Sequence, residues 1–125
     1  MFKASKAFSS FSVSDISRAK EFYGKTLGLE VTDLRDNILL HITGENSIML
    51  YPKSDHTPAT FTVLNFQVDD IGKAINELTR DGVKFEIYDL PGAETDEKGI
   101  FHGEGYKIAW FKDPAGNILS IIEGM

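Results

Sequence analysis

Three histidines are the side chains of this sequence best suited to proton transfer, because an unperturbed imidazole changes charge near neutral pH. His41 belongs to a predicted strand, and the expected hairpin pairing places it on the same sheet face as Met49. His102 stands beside Glu104 in a glycine-rich segment that could act as a lid. His56 lies in a proline-flanked polar segment and is expected to face solvent. His41 and His102 are therefore the candidate acid–base groups, with a structural or solvent-exposed histidine as the competing interpretation for each.

The composition excludes several other kinds of chemistry and partner. The chain has 125 residues, no cysteine and a formal net charge of -6, so disulfide and thiol chemistry are absent. An acidic chain without a cluster of Lys and Arg is a poor partner for nucleic acid or an anionic membrane surface. No apolar run is long enough to span a bilayer, and the first ten residues lack the apolar core of a secretory signal. The composition predicts a cytoplasmic protein with one hydrophobic core.

The elements that would position the histidines come in two copies. Residues 13–31, VSDISRAKEFYGKTLGLEV, are followed by a second version at residues 68–87, VDDIGKAINELTRDGVKFEI, with Val, Asp, Ile and Ala at matching positions. Each copy reads as strand, helix and strand, and both helices are amphipathic. Asp15 and Asp70 can cap the helix starts, and Gly28 and Gly82 can end them. The repeat predicts one structural module used twice.

Alternating apolar residues and turn formers predict the remaining strands. In the first copy they cover residues 7–13, 31–34, 38–43 and 47–51, with turns at 35–37 and 44–46. In the second they cover residues 61–68, 83–88, 108–111 and 118–122, with a glycine-rich insertion at 89–105. The prediction is a single α+β domain at 1–125 made of two βαβββ modules in tandem, at about 7–51 and 61–123, joined by a linker at about 52–60.

Both opening strands have an unusually polar face opposite the face that the helix covers. Packing the modules so that curved mixed sheets enclose a shared cavity, with the helices outside, would cover these polar faces. Such a cavity would combine apolar walls with a few hydrogen-bonding groups, which is typical of a small-molecule site. Trp110 is expected to pack under the helix instead. The predicted lining residues are Ser10, Ser12, His41, Met49, Tyr51, Asn65, Gln67, Phe111 and Ser120.

The first repeat and the closing hairpin, IAWFKDPAGNILSIIE with its Asp-Pro-x-Gly-Asn turn, resemble the vicinal oxygen chelate superfamily. That superfamily includes glyoxalase I, extradiol dioxygenases, fosfomycin-modifying enzymes and bleomycin-resistance proteins. The resemblance extends from about residue 7 to about residue 123 and implies the two-module fold of the glyoxalase, bleomycin-resistance and dioxygenase proteins. Because one scaffold carries many reactions, the resemblance does not identify the reaction.

The resemblance also implies where metal-dependent members hold their ion, with four ligands that are usually His and Glu. Carried over position by position, these ligands would fall at Phe8, Met49, Val63 and Ser120. None of the four side chains offers a carboxylate or an imidazole, and a shift of one residue in either direction supplies none either. We therefore expect no metal and no other cofactor.

Three classes of function are compatible with these residues. The first is a module similar to bleomycin-resistance proteins, which would hold a drug-sized, cationic or aromatic molecule without a metal. The second is a metal-independent lyase or isomerase that uses His41 or His102 as general base. The third is a metal-dependent glyoxalase or dioxygenase, which the four replaced ligand positions argue against. We expect a small-molecule partner and, from the resemblance, a homodimer.

Overall fold

The computed structural model describes residues 1–44 and 47–125, which form two compact units, Met1–Thr57 and Pro58–Met125. Each unit contains one copy of the sequence repeat. The boundary between the units falls inside the segment predicted as a linker. Two residues of the turn predicted at 44–46, Glu45 and Asn46, lie outside the described residues.

Within residues 1–44 and 47–57, the first unit contains four strands, one helix and one π-helical turn. In chain order these are β1 (Ser10–Val13), α1 (Ile16–Glu21), the π-helical turn (Phe22–Thr26), β2 (Glu30–Leu34), β3 (Asn37–His41) and β4 (Ile48–Pro52). The strands form one sheet in the order β1-β4-β3-β2, with β1 parallel to β4 and the other neighbours antiparallel. The opening strand was predicted from residue 7 but begins at Ser10, because its pairing with β4 starts there.

Helix α1 lies between the predicted boundaries. The Asp15 side chain accepts a hydrogen bond from the Arg18 backbone N–H at 3.1 Å, which satisfies a donor of the first turn. The helix widens into the π-helical turn, where the Leu27 N–H donates to the Phe22 carbonyl at 2.9 Å. Gly28 follows with a φ of +75°, a conformation that glycine adopts without strain. The capping residue and the glycine thus mark both ends of the segment.

The core of the first unit lies between α1 and one face of its sheet. Tyr23, from the π-helical turn, is fully buried and makes an edge contact with Phe11 at a centroid distance of 6.4 Å. Burying one large apolar side chain contributes about 1.5–3 kcal/mol to stability. The buried sheet residues on this face are Val13, Ile38, Leu40, Ile48 and Leu50. The opposite sheet face is therefore left for other contacts.

The second unit repeats this plan with β5 (Thr62–Gln67), α2 (Ile71–Arg80), β6 (Ile100–His102), β7 (Lys107–Lys112) and β8 (Ile118–Glu123). Its sheet has the order β5-β8-β7-β6, with β5 parallel to β8. Helix α2 packs on β7 and β8. The two mixed four-stranded sheets, each with its own helix, confirm the predicted α+β fold of tandem modules.

Two carboxylates stabilise the start of α2. Asp70 accepts from the Lys73 N–H at 3.1 Å, as Asp15 does in the first copy. Glu123, at the end of β8, accepts from the Ile71 N–H at 3.0 Å and so connects the helix to the sheet. In the described part of the chain, no helix has both the length and the apolar character required to cross a bilayer.

The prediction of a full strand at residues 83–88 is wrong. This segment makes a single bridge, Phe85 to Phe111, and the Glu86 N–H donates to the Trp110 carbonyl at 2.8 Å. The rest of the same β7 edge pairs with β6, which lies inside the predicted insertion. The insertion therefore returns to the sheet and takes the edge positions that a longer strand at 83–88 would have used.

The turn between β7 and β8 is held by the side chain of Asp113. Its Oδ1 accepts from the Ala115 and Asn117 N–H groups, each at 2.9 Å, and its Oδ2 accepts from Asn117 Nδ2 at 3.0 Å. Gly116 has a φ of +83° in this turn. Asp113 and Asn117 are both buried, and their mutual contact meets the requirement that buried polar groups be hydrogen-bonded.

Candidate functional site

The predicted lining residues of the first unit share the sheet face opposite α1. Ser10 pairs with Met49 and Ser12 with Tyr51 across the parallel strands β1 and β4. Met49 also pairs with Leu39, and His41 lies two residues further along β3 on the same face. The register therefore brings these side chains together on one surface, as the alternation of the strand sequences predicts.

A pocket of about 270 Å³ lies on this face. The chain before β1 forms one wall with Phe8, and the sheet supplies Leu34, Leu39 and Met49. Phe8 is 63% exposed and Leu34 is 44% exposed, so large apolar side chains stand at the rim. Asn37 Nδ2 approaches the Met49 sulfur at 3.6 Å and is a polar contact at this apolar site.

His41 is held by hydroxyl groups on both sides of its ring. Its Nε2 lies 2.7 Å from Thr32 Oγ1, and its Nδ1 lies 3.1 Å from Ser47 Oγ. Both ring nitrogens are therefore hydrogen-bonded. To act as a general base, His41 would first have to exchange one of these partners for substrate.

His56 does not face bulk solvent as the sequence predicted. The His56 N–H donates to the Lys53 carbonyl at 3.0 Å, and this turn directs the side chain back toward the sheet. Its Nδ1 lies 2.6 Å from Ser12 Oγ, and the imidazole is half-buried. The contact joins residues 44 positions apart, so no local sequence signal indicates it.

In the second unit, Asn65 and Ser120 form a polar couple on the face opposite α2. They pair across β5 and β8, and the Ser120 hydroxyl donates to Asn65 Oδ1 at 2.5 Å. Ser120 is fully buried, while Asn65 is exposed. Gln67 lies two residues along β5 and is also exposed. These three predicted residues therefore share one face of the sheet.

Phe111, by contrast, lies on the other face, and its prediction as a lining residue is wrong. It pairs with Leu119, is 1% exposed and contacts the Phe85 ring at a centroid distance of 5.5 Å in the core beneath α2. Trp110 pairs with Ser120 and occupies the position expected for Phe111. The register of the hairpin determines which of the two neighbours faces the core, and a shift of one residue exchanges them.

An aromatic cluster surrounds Trp110. Its indole N–H donates to Thr62 Oγ1 at 3.1 Å, and its ring meets Tyr88 at 5.6 Å and Phe101 at 6.1 Å between centroids. Burial and the neighbouring Glu86 carboxylate raise the pKa of the Tyr88 phenol. The sequence indicates these aromatic side chains but not their convergence, because they come from separate segments.

His102 lies on strand β6 and pairs with Asp96 rather than with its neighbour Glu104. Its Nε2 is 2.8 Å from Asp96 Oδ2, while Asp96 Oδ1 accepts from the Lys98 and Ile100 N–H groups, each at 2.9 Å. Burial raises the pKa of Asp96, but hydrogen bonds from His102 and the two backbone groups outweigh burial and hold the pKa below its ordinary value. Asp96 thus orders the loop that leads into β6.

The positions to which the resemblance assigns metal ligands do not fit a metal ion in this structure. Phe8 and Met49 line the apolar pocket, Val63 stands at an irregularity in β5, and Ser120 donates to Asn65. Within residues 1–44 and 47–125, no group of three or more His, Cys, Asp or Glu side chains is placed to hold a metal ion. These side chains do not suit the Ni, Zn, Fe or Mn ions of metal-dependent relatives.

The two mixed sheets, each with a helix on one face and predicted polar residues on the opposite face, define a glyoxalase-like protein. The chain belongs to the Glyoxalase/Bleomycin resistance protein/Dioxygenase superfamily, whose family model matches residues 8–121. This membership confirms the resemblance drawn from the repeat and the closing hairpin.

Solved structures show the same fold at low sequence identity. A glyoxalase family protein from Bacillus anthracis has a TM-score of 0.72 at 19% identity, with both chains covered over 100% of their length. One from Enterococcus faecalis has a TM-score of 0.70 at 22% identity, covering 98% of this chain and 100% of its own. TnmS3, described as an antibiotic binding protein from Streptomyces sp. CB03234, has a TM-score of 0.68 at 22% identity, covering 98% of each chain. A comparison with curated proteins gave no match.

Proposed function

We propose that this protein binds a small, partly aromatic organic molecule without a metal ion. The observation that carries the proposal is the apolar pocket between Phe8 and Met49. At these two positions, metal-dependent superfamily members would have ligands, and here both side chains line a space of about 270 Å³. Ligand sites are typically apolar clefts with a few polar groups to orient the molecule.

The polar groups of this face support the proposal. Asn37, Ser12 and His41 lie on the same sheet face as Met49, and a ligand could replace one of their present hydrogen-bond partners. The net charge of -6 favours a cationic ligand.

The fold relative TnmS3 is described as antibiotic binding, which suggests the compounds to test. A thermal-shift screen should include bleomycin-type glycopeptides and other cationic aromatic antibiotics. A ligand that binds only the folded state stabilises it by about 2.7 kcal/mol at a hundred times its dissociation constant. We expect at least one such compound to raise the melting temperature.

The pocket variant Phe8→Ala, with Phe2→Ala as its control, tests the location of the site. Phe2 is 80% exposed and does not line the pocket. We expect Phe8→Ala to weaken binding of a compound found in the screen by about tenfold and Phe2→Ala to leave the affinity unchanged. Equal affinities of the two variants, or a screen with no stabilising compound, would contradict the proposal.

A further inference from the structure

We infer that Ser12 and His56 form a nucleophile–base pair through which this protein reacts with activated esters. This activity goes beyond the binding function proposed above. It rests on the 2.6 Å distance between Ser12 Oγ and His56 Nδ1. A base within about 2.6–3.2 Å of a hydroxyl can accept its proton as the oxygen attacks a carbonyl carbon.

Both members of the pair are held by backbone contacts. Ser12 lies within β1, which pairs with β4 along its whole length. The Lys53 N–H donates to the Val13 carbonyl at 3.0 Å, and the following turn closes when the His56 N–H donates to the Lys53 carbonyl at 3.0 Å. An ion pair between Lys53 and Asp55 lies within the same turn. The backbone contacts thus hold the imidazole next to Ser12. Because both groups are already in position, less entropy is lost when they react.

The reaction uses only groups in this pair, the ester and water. Ser12 Oγ forms a bond to the ester carbonyl carbon, and its proton passes to His56 Nδ1. The bond from that carbon to the alkoxy or aryloxy oxygen then breaks, and the leaving oxygen takes the proton from His56. Water next attacks the acyl-serine, with His56 as base, and releases a carboxylic acid and free Ser12. The sum is one ester and one water converted to one acid and one alcohol.

The neighbouring pocket suggests which esters would be accepted. Ser12 pairs with Tyr51 and Ser10 pairs with Met49, so the pocket at Met49 lies two residues along the strands from the Ser12 hydroxyl. Two residues of a strand span about 7 Å, which is close to the length of a phenyl group with its ester linkage. Esters of phenols, with the ring toward Met49 and the carbonyl at Ser12, are therefore the substrate class.

The competing role for the contact is to anchor the segment that carries His56 on the sheet, with no reactivity at Ser12. Covalent labelling separates the two roles. The full chain would be incubated with an alkyl fluorophosphonate, which forms a stable bond to an activated serine and loses fluoride. Intact mass and peptide mapping would locate the adduct. Because the alkyl probe has no aromatic ring, labelling does not depend on the ligand binding proposed above.

We expect one adduct, at Ser12, that is absent from Ser12→Ala and formed at least tenfold more slowly in His56→Gln. Ser9→Ala, which removes a hydroxyl just before β1, should label at the rate of the unaltered chain. Melting curves would check that His56→Gln remains folded. If that variant is unfolded, the rate of labelling at Ser12 is compared with the rates at the other serines of the unaltered chain. A rate at Ser12 no higher than theirs would overturn the inference. The inference would also be overturned if no adduct formed at Ser12, or if the unaltered chain and a folded His56→Gln variant were labelled at equal rates.

Discussion

Trp110 lies directly across the β7–β8 hairpin from Ser120, and its indole N–H is fixed by the Thr62 hydroxyl at 3.1 Å. Trp110 therefore lies on the same sheet face as Asn65 and Ser120, where it is half-buried. Its neighbour Phe111 belongs to the core. The two residues should respond to substitution in different ways.

Phe111→Ala is expected to reduce the free energy of unfolding by about 3–5 kcal/mol, because it creates a cavity in a packed core. Trp110→Phe keeps an aromatic ring but removes the donor to Thr62, with an expected loss of about 1 kcal/mol. Urea unfolding of both variants measures the difference. A Phe111→Ala variant as stable as the unaltered chain would contradict the assignment of Phe111 to the core.

The Asp96 carboxylate should make the stability of the folded chain depend on pH. Its pKa is lowered in the folded chain, so its contribution is present above the ordinary pKa of an aspartate, about 4, and is lost as the pH falls through the lower folded value. Melting temperatures between pH 7 and pH 3 should therefore fall less steeply in Asp96→Asn than in the unaltered chain. Glu97→Gln, in the same loop, is the control, and identical pH profiles for all three proteins would count against this role.

A side chain at Gly103 should displace the Tyr106 ring. A Cβ at this position would lie 2.3 Å from the end of that ring, so the ring would have to leave its contact with Phe101. Because Tyr106 is exposed and its ring can turn outward, we expect Gly103→Ala to cost only about 1 kcal/mol. Gly72→Ala is the matched control, because its Cβ would make an ordinary van der Waals contact in α2, 3.6 Å from Asp70 Oδ1, and alanine favours helix by up to about 1 kcal/mol. Thermal melts should move in opposite directions.

Metal should make no difference to this chain. Elemental analysis after dialysis is expected to find much less than one Ni, Zn, Fe or Mn per chain, since Phe8, Met49 and Val63 offer no suitable ligand. Addition of a chelator should leave the melting temperature unchanged. About one tightly held ion per chain, together with a metal-dependent glyoxalase activity, would contradict this prediction.

The exposed apolar side chains at the pocket rim lead us to expect a homodimer. Phe8 and Leu34 are 63% and 44% exposed, and clustered apolar surface of this kind often marks an interface. Sedimentation at micromolar concentration should give about twice the chain mass of 13.9 kDa. Leu34→Glu should shift the protein toward the monomer. A monomeric unaltered chain would rule out the dimer.

The sequence was sufficient to predict features that depend on neighbouring residues. Asp15 and Asp70 cap their helices as expected, because the capping contact spans only three residues. The alternation of β1 and β4 likewise placed Ser12 and Tyr51 on one face. Local chemistry and strand periodicity determine these features without knowledge of the rest of the fold.

Features that depend on distant contacts were not predictable in the same way. The contact of His56 with Ser12 requires a turn that returns the chain to β1. Phe111 and Trp110 were exchanged because the face of each depends on the hairpin register, which a turn of one residue more or less would change. Hydrophobicity alone does not distinguish two adjacent aromatic residues.

One edge of β7 is paired with β6, which belongs to the insertion, so a chain without the insertion would expose that edge. Strand β6 pairs with residues 107–109, so removing the insertion at 89–105 would leave their outward N–H and C=O groups without strand partners. An uncovered strand edge is a template on which another molecule can add its own strand. With the insertion present, the edge of this sheet is the three-residue β6 in place of the six-residue β7. A shortened chain that exposes β7 is therefore expected to aggregate even where its hydrophobic core is intact.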